Sequence, residues 1–226
     1  MRLMKNNSRK NQLYRLIKYT FLLSLIIISS CYANQKELAY NQLKKLFIDK
    51  NKDLISHFPS KIDFNNALFN GQMIYEGENE NNFGAYIHLI VFNASSEIDE
   101  FYKRNYKILA KINPQDSCNL IVPWFSPFHH TIAEFDSCYD RLIKNCNNIS
   151  LPIPNFANET ELLQIDGIRL PIDFKIYLLE IDKNKPFDYS YKYAGHGLPT
   201  EWKNGYSKGV AISEERKIII YWFDAW

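Results

Sequence analysis

Gly209-Val210-Ala211-Ile212, then Ser213-Glu214-Glu215-Arg216, then Lys217-Ile218-Ile219-Ile220-Tyr221-Trp222-Phe223, is the stretch that decides the fold. Two apolar runs flank four polar residues, which reads as a β-hairpin with its loop at 213–216. Ala85-Tyr86-Ile87-His88-Leu89-Ile90-Val91-Phe92 is nearly all apolar and rich in β-branched and aromatic residues, and reads as the best central strand in the chain, covered on both faces.

Working outward, Met73-Ile74-Tyr75, Leu120-Ile121-Val122, Ile165 to Ile168 and Phe174 to Ile181 are shorter strand candidates. Phe187, Tyr189, Tyr191 and Tyr193 alternate with Asp188, Ser190 and Lys192, the period of a strand with one aromatic face. Helical spacing is found in two places. Ala39, Leu43, Leu46 and Phe47 predict a helix over 36–50, and Pro59 stops the segment that follows. Ile98, Phe101, Tyr102, Ile108, Leu109 and Ile112 predict a second helix, capped by Ser96-x-x-Asp99 and ended by Asn113-Pro114. A short helix is expected over 133–144. Residues 147–160, with Pro152, Pro154 and many Asn, read as a long loop. The expected architecture is α+β: a single domain over 36–226, a mainly antiparallel sheet with two helices packed on one face, and a C-terminal β-hairpin.

The front of the chain has a different composition. The first thirty of its 226 residues hold Arg2, Lys5, Arg9, Lys10, Arg15 and Lys18, and no acid. Removing those six from the 27 Lys and Arg leaves 21 against 25 acidic residues. The whole chain reads +2, but the body is net negative. That balance argues against nucleic acid as a partner, which favours a basic surface. The apolar run Tyr19 to Ile28 is too short for a transmembrane helix, which needs about 20 residues. It suits the h-region of a secretory signal, about 7–15 residues long behind a positive n-region.

Ile28-Ser29-Ser30-Cys31 follows: an aliphatic residue, two small residues, then cysteine. The segment resembles the signal peptide and lipobox of bacterial lipoproteins, over residues 1–31 only, with an n-region longer than most. The resemblance implies that residues 1–30 are removed and that Cys31 is lipidated. Residues 31–35 would then be a lipidated tether, and the body would sit at the cell envelope, facing periplasm or exterior. Several acyl chains, at about 0.8 kcal/mol per buried CH2, would make a stable membrane anchor. Beyond residue 31 no characterised family is recognised.

Cys118, Cys138 and Cys146 remain. Export permits a disulfide. Cys138 and Cys146 lie closest and form the first candidate pair, with Cys118 and Cys138 as the rival. No Cys-x-x-Cys spacing points to zinc. His129-His130, near Glu134 and Asp136, lacks the spacing of converging metal ligands, so neither a metal nor a cofactor is expected.

The candidate binding residues are aromatic. Trp202 and Tyr206 stand among charges in the glycine-rich stretch 195–209, with His196 in the same stretch and Tyr189, Tyr191 and Tyr193 just before it. Such rings suit stacking on a glycan or holding a protein partner. The expectation is a non-enzymatic, membrane-anchored binding domain, with an immunity-like role as one version. The alternative is an envelope hydrolase acting on peptide or glycan. That alternative requires His57 or His196 beside Cys118, Ser207 or an acid pair, since a catalytic histidine needs a nucleophile and an orienting acid in reach.

Overall fold

The computed structural model describes residues 34–72, 85–116, 118–122, 151–163, 169–184, 198, 202 and 205–226. Residues 34–51 are helical (α1). Residues 42–226 belong to one unit and residues 1–41 to another. A 3-10 turn, Lys52–Ile55, follows α1, with the Asn51 side chain accepting from the Asp53 amide.

Six strands form one antiparallel sheet: β1 (Ala67–Gln72), β2 (Ala85–Val91), β3 (Ala110–Ile112), β4 (Lys175–Asp182), β5 (Tyr206–Ser213) and β6 (Ile218–Ala225), in the order β1-β2-β6-β5-β4-β3. Helix α2 (Ser95–Lys103) follows β2, and a short helix α3 (Ala157–Leu162) precedes β4. The expected α+β architecture and C-terminal hairpin are present. The hairpin pairs Ser213 with Ile218, so its four-residue loop lies one position later than expected, at 214–217. Lys217 takes a positive φ of 52° there. Ser213 Oγ donates to Asp173, and Arg216 Nε reaches the same carboxylate at 2.9 Å, which ties the loop to the residues before β4.

Every residue of β6 is buried. Alternation then gives the sheet two core faces. One carries Ile90, Ile176, Leu178, Ala211, Ile218, Ile220 and Trp222, and is covered by Ile153, Phe156, Leu170 and Phe174. The other carries Tyr177, Tyr221 and Phe223. Phe47 of α1 meets Phe223 edge-on at 5.4 Å, and Phe101 of α2 meets Tyr177 at 5.2 Å. Helix α2 and residues 42–51 of α1 therefore pack on that second face.

Three local expectations are corrected, and one strand, β1, was not expected. The second helix ends at Lys103 rather than near Asn113. Asn105 adopts φ 48°, a left-handed conformation that stops a helix, and residues 110–112 pair with β4 instead. The Ser96-x-x-Asp99 cap is not formed, because the helix starts after Ala94 and Ser96 Oγ bonds Glu97. Strand β1 has the sequence Ala-Leu-Phe-Asn-Gly-Gln, with no β-branched residue. It is a strand because β2 offers it a ladder. The expected loop 147–160 includes the start of α3. The candidate strands at 73–75, 165–168 and 187–193, the helix at 133–144 and His129-His130 lie outside the described residues.

Candidate functional site

The sheet brings two isolated ionisable residues of apolar strands onto one face. His88 of β2 lies opposite Trp222 of β6, and Tyr86 lies opposite Asp224, so His88 and Asp224 are diagonal neighbours across one strand pair. Their side chains meet: His88 Nε2 is 2.8 Å from Asp224 Oδ2. The other ring nitrogen, Nδ1, is 2.8 Å from Glu159 Oε1, which α3 lowers onto the sheet. His88 is fully buried, and Glu159 and Asp224 nearly so, at 1% and 2% exposure. Phe156 packs over the ring, with centroids 5.9 Å apart, and also meets Trp222 edge-on.

A ring that donates from both nitrogens is an imidazolium. Burial opposes that charge, but the Asp224 and Glu159 carboxylates outweigh it and hold the His88 pKa up to about 10. Tyr86, beside the cluster, is pushed the same way by burial and by the same two carboxylates, well above the usual tyrosine range. Its hydroxyl donates to Asn70. Three buried polar atoms on this face have no hydrogen-bond partner: Glu159 Oε2, Trp222 Nε1 and Ser207 Oγ.

The cluster has no free nitrogen lone pair on His88 with which to take a metal. Among the described residues no group of three or more His, Cys, Asp or Glu is arranged to hold a metal ion. As a general base the ring is poorly placed, being already protonated and sealed from solvent.

The opposite face buries a second histidine. His57, just after the 3-10 turn, donates from Nε2 to the Trp222 carbonyl at 2.9 Å. Its Nδ1 is buried without a partner. Burial and the nearby Lys208 ammonium push its pKa down to about 3. Lys208 donates to the Asp53 carbonyl and pairs with Glu180, each at 2.7 Å. A bulge in β4 between Leu178 and Glu180 makes that pair possible. The extra residue reverses the alternation, so Glu180 stands opposite Lys208 instead of turning to the His88 face.

The aromatic candidates divide. Tyr206 is half-buried, donates to Glu180 and packs against Phe223. Trp202 is also half-buried. It packs on the cluster of Leu120, Val122, Leu198 and Trp226, its carbonyl accepts from Trp226 Nε1, and the Lys183 ammonium lies 4.7 Å from its ring centre. Trp202 is therefore a half-buried packing residue. Tyr189, Tyr191, Tyr193, His196 and Cys31 lie outside the described residues. Cys118 is disulfide-bonded. Its partner is outside the described residues, as are Cys138 and Cys146.

The pairings required of a hydrolase are not assembled around His57. Cys118 is held as a disulfide, and Ser207 stands opposite Asp224 on the other side of the sheet. Sequence reasoning missed the Glu159–His88–Asp224 cluster. Its one available signal was a lone ionisable residue inside each of two apolar strands. No protein-family model, no curated protein and no solved structure matches the chain.

Proposed function

We propose that this chain is a lipid-anchored protein of the bacterial cell envelope whose folded body binds another macromolecule and transforms no substrate. The location is supported by Ile28-Ser29-Ser30-Cys31 behind a basic and apolar leader, and by the disulfide at Cys118, a bond that persists in oxidising compartments. The observation that carries the binding reading is the commitment of the reactive side chains among the described residues. His57 and His88 make their hydrogen bonds inside the core, and Cys118 is oxidised. The half-buried Trp202 and Tyr206 rings would supply contact surface.

Metabolic labelling with a fatty acid, followed by membrane fractionation, tests the anchor. The wild type should carry label and sediment with membranes, and Cys31→Ser should lose both. An unlabelled wild type, or a variant that keeps its membrane association, overturns the location. For the body, saturable capture of an envelope protein or glycan by wild type, weakened in Trp202→Ala, is the expected result. Turnover of peptide or glycan by the purified protein overturns the non-enzymatic reading.

A further inference from the structure

The two ends of the sheet are β1 and β3. The Leu109 amide donates to the Leu178 carbonyl of β4 at 2.8 Å. Main-chain groups alternate sides along a strand, so the amides and carbonyls of Ala110 and Ile112 point away from β4, to an edge that no other strand covers among the described residues. Exposed aliphatic side chains surround that edge: Leu109 is 50% exposed and Ile172 74%. A shallow groove of about 380 Å3 runs beside it, lined by Lys111, Ile112, Ile172, Phe174, Lys175 and Tyr177.

The charge of this edge is the reverse of the body's. From Phe101 to Gln115 the chain holds Lys103, Arg104, Lys107 and Lys111 and no acid, in a body with more acids than bases. Arg104 is paired with Glu100 within α2 and its cap, whereas Lys107 and Lys111 are exposed beside this edge, the Lys111 ammonium 5.5 Å from the Tyr177 ring centre. Lysines on an edge strand repel a second copy of the same edge. The same lysines attract an acidic strand, and electrostatic complementarity of that kind selects partners.

We infer that β3 is a docking edge for an extended acidic–aliphatic segment of a partner protein, added as a seventh strand with its main chain on Ala110 and Ile112. Alternate aliphatic side chains would enter the groove beside Ile172 and Phe174, and the intervening acids would meet Lys107 and Lys111. The inference deepens the binding reading above and rests on it, but not on the lipid anchor.

The test uses the full chain in neutral detergent with two synthetic probes, an alternating Glu-Val octapeptide and its Lys-Val counterpart. Hydrogen exchange is followed over residues 107–113. The Glu-Val probe should slow exchange at this edge about tenfold or more, with an effect that weakens as salt is raised. The Lys-Val probe should not. In the double variant Lys107→Glu, Lys111→Glu the preference should invert, an outcome that mere structural damage cannot produce. Four results would each overturn the inference. They are no protection by either peptide, equal protection by both, protection only on anionic vesicles, and concentration-dependent dimerisation that covers the edge in the absence of peptide. Failure here with Trp202-dependent capture intact removes the edge and leaves the binding reading. Success here with unchanged membrane association of Cys31→Ser removes the location and leaves the edge.

Discussion

Among the described residues each face of the sheet buries one histidine, and the two are held in opposite protonation states. On one side His88 lies between Asp224 and Glu159, and its pKa is held up to about 10. On the other, His57 faces a main-chain carbonyl and the Lys208 ammonium, and its pKa is pushed down to about 3. Both rings are out of water. Burial discharges a histidine, at His57 with the Lys208 ammonium adding to the effect, and at His88 two carboxylates reverse it. The difference lies in what the neighbouring elements bring: α3 supplies an acid, whereas β5 supplies a lysine.

Breaking the charged face should have the largest effect. His88→Leu leaves two acids buried without their cation, an arrangement that costs about 3–5 kcal/mol. Urea unfolding should register that loss at neutral pH. In the wild type the His88 contribution is fully present below the unfolded value of 6.5 and is lost as pH rises through about 10. Stability should therefore decline over that alkaline window, and His88→Leu should abolish the decline. A variant as stable as wild type, or with the same alkaline slope, would falsify the charged assignment.

Gly209→Ala should come next. A Cβ at Gly209 would stand 2.3 Å from the Tyr177 carbonyl and 2.4 Å from the Trp222 ring, the ring that sits opposite His88. Overpacking of this kind costs about 1–3 kcal/mol. It should also displace the indole, which near-ultraviolet circular dichroism reads independently of stability.

Substitution on the neutral face should matter least. His57→Phe forfeits one hydrogen bond to a main-chain carbonyl and removes an unpartnered buried nitrogen, a net cost of about 1 kcal/mol. Its signature is in the pH profile. A neutral buried histidine makes the unfolded chain the better proton acceptor, so stability falls as pH drops from 6.5 toward about 3. His57→Phe should flatten that acid limb and leave the alkaline limb as it is. The reverse result would exchange the roles of the two rings.

The fold was legible where one strand's own pattern sufficed, and much less so where partners decide. The nearly unbroken apolar run of β2 announced a central strand, and the polar loop between β5 and β6 announced the hairpin. Helix α2 was read too long because Ile108, Leu109 and Ile112 fit helical spacing. Only the left-handed Asn105 and the ladder on β4 show why they leave it. The buried cluster was hidden for a related reason. Asp224 and His88 meet through the register of strands distant in sequence, and Glu159 arrives from a segment whose prolines and asparagines read as loop. No spacing rule joins three such positions. The edge at β3 was equally invisible, since an open ladder exists only once the strand order is known.

The strand order also constrains the route to the folded state. β1 with β2, and β5 with β6, pair with their neighbours along the chain, whereas β2 with β6 closes a long intervening loop. Two ribbons can therefore form locally, and their zippering along the β2–β6 seam carries the entropic cost that sets the rate. The His88–Asp224 contact bridges that seam. The proton on His88 thus helps hold the seam whose closure sets the rate, and discharging it should show in stopped-flow traces as slower refolding.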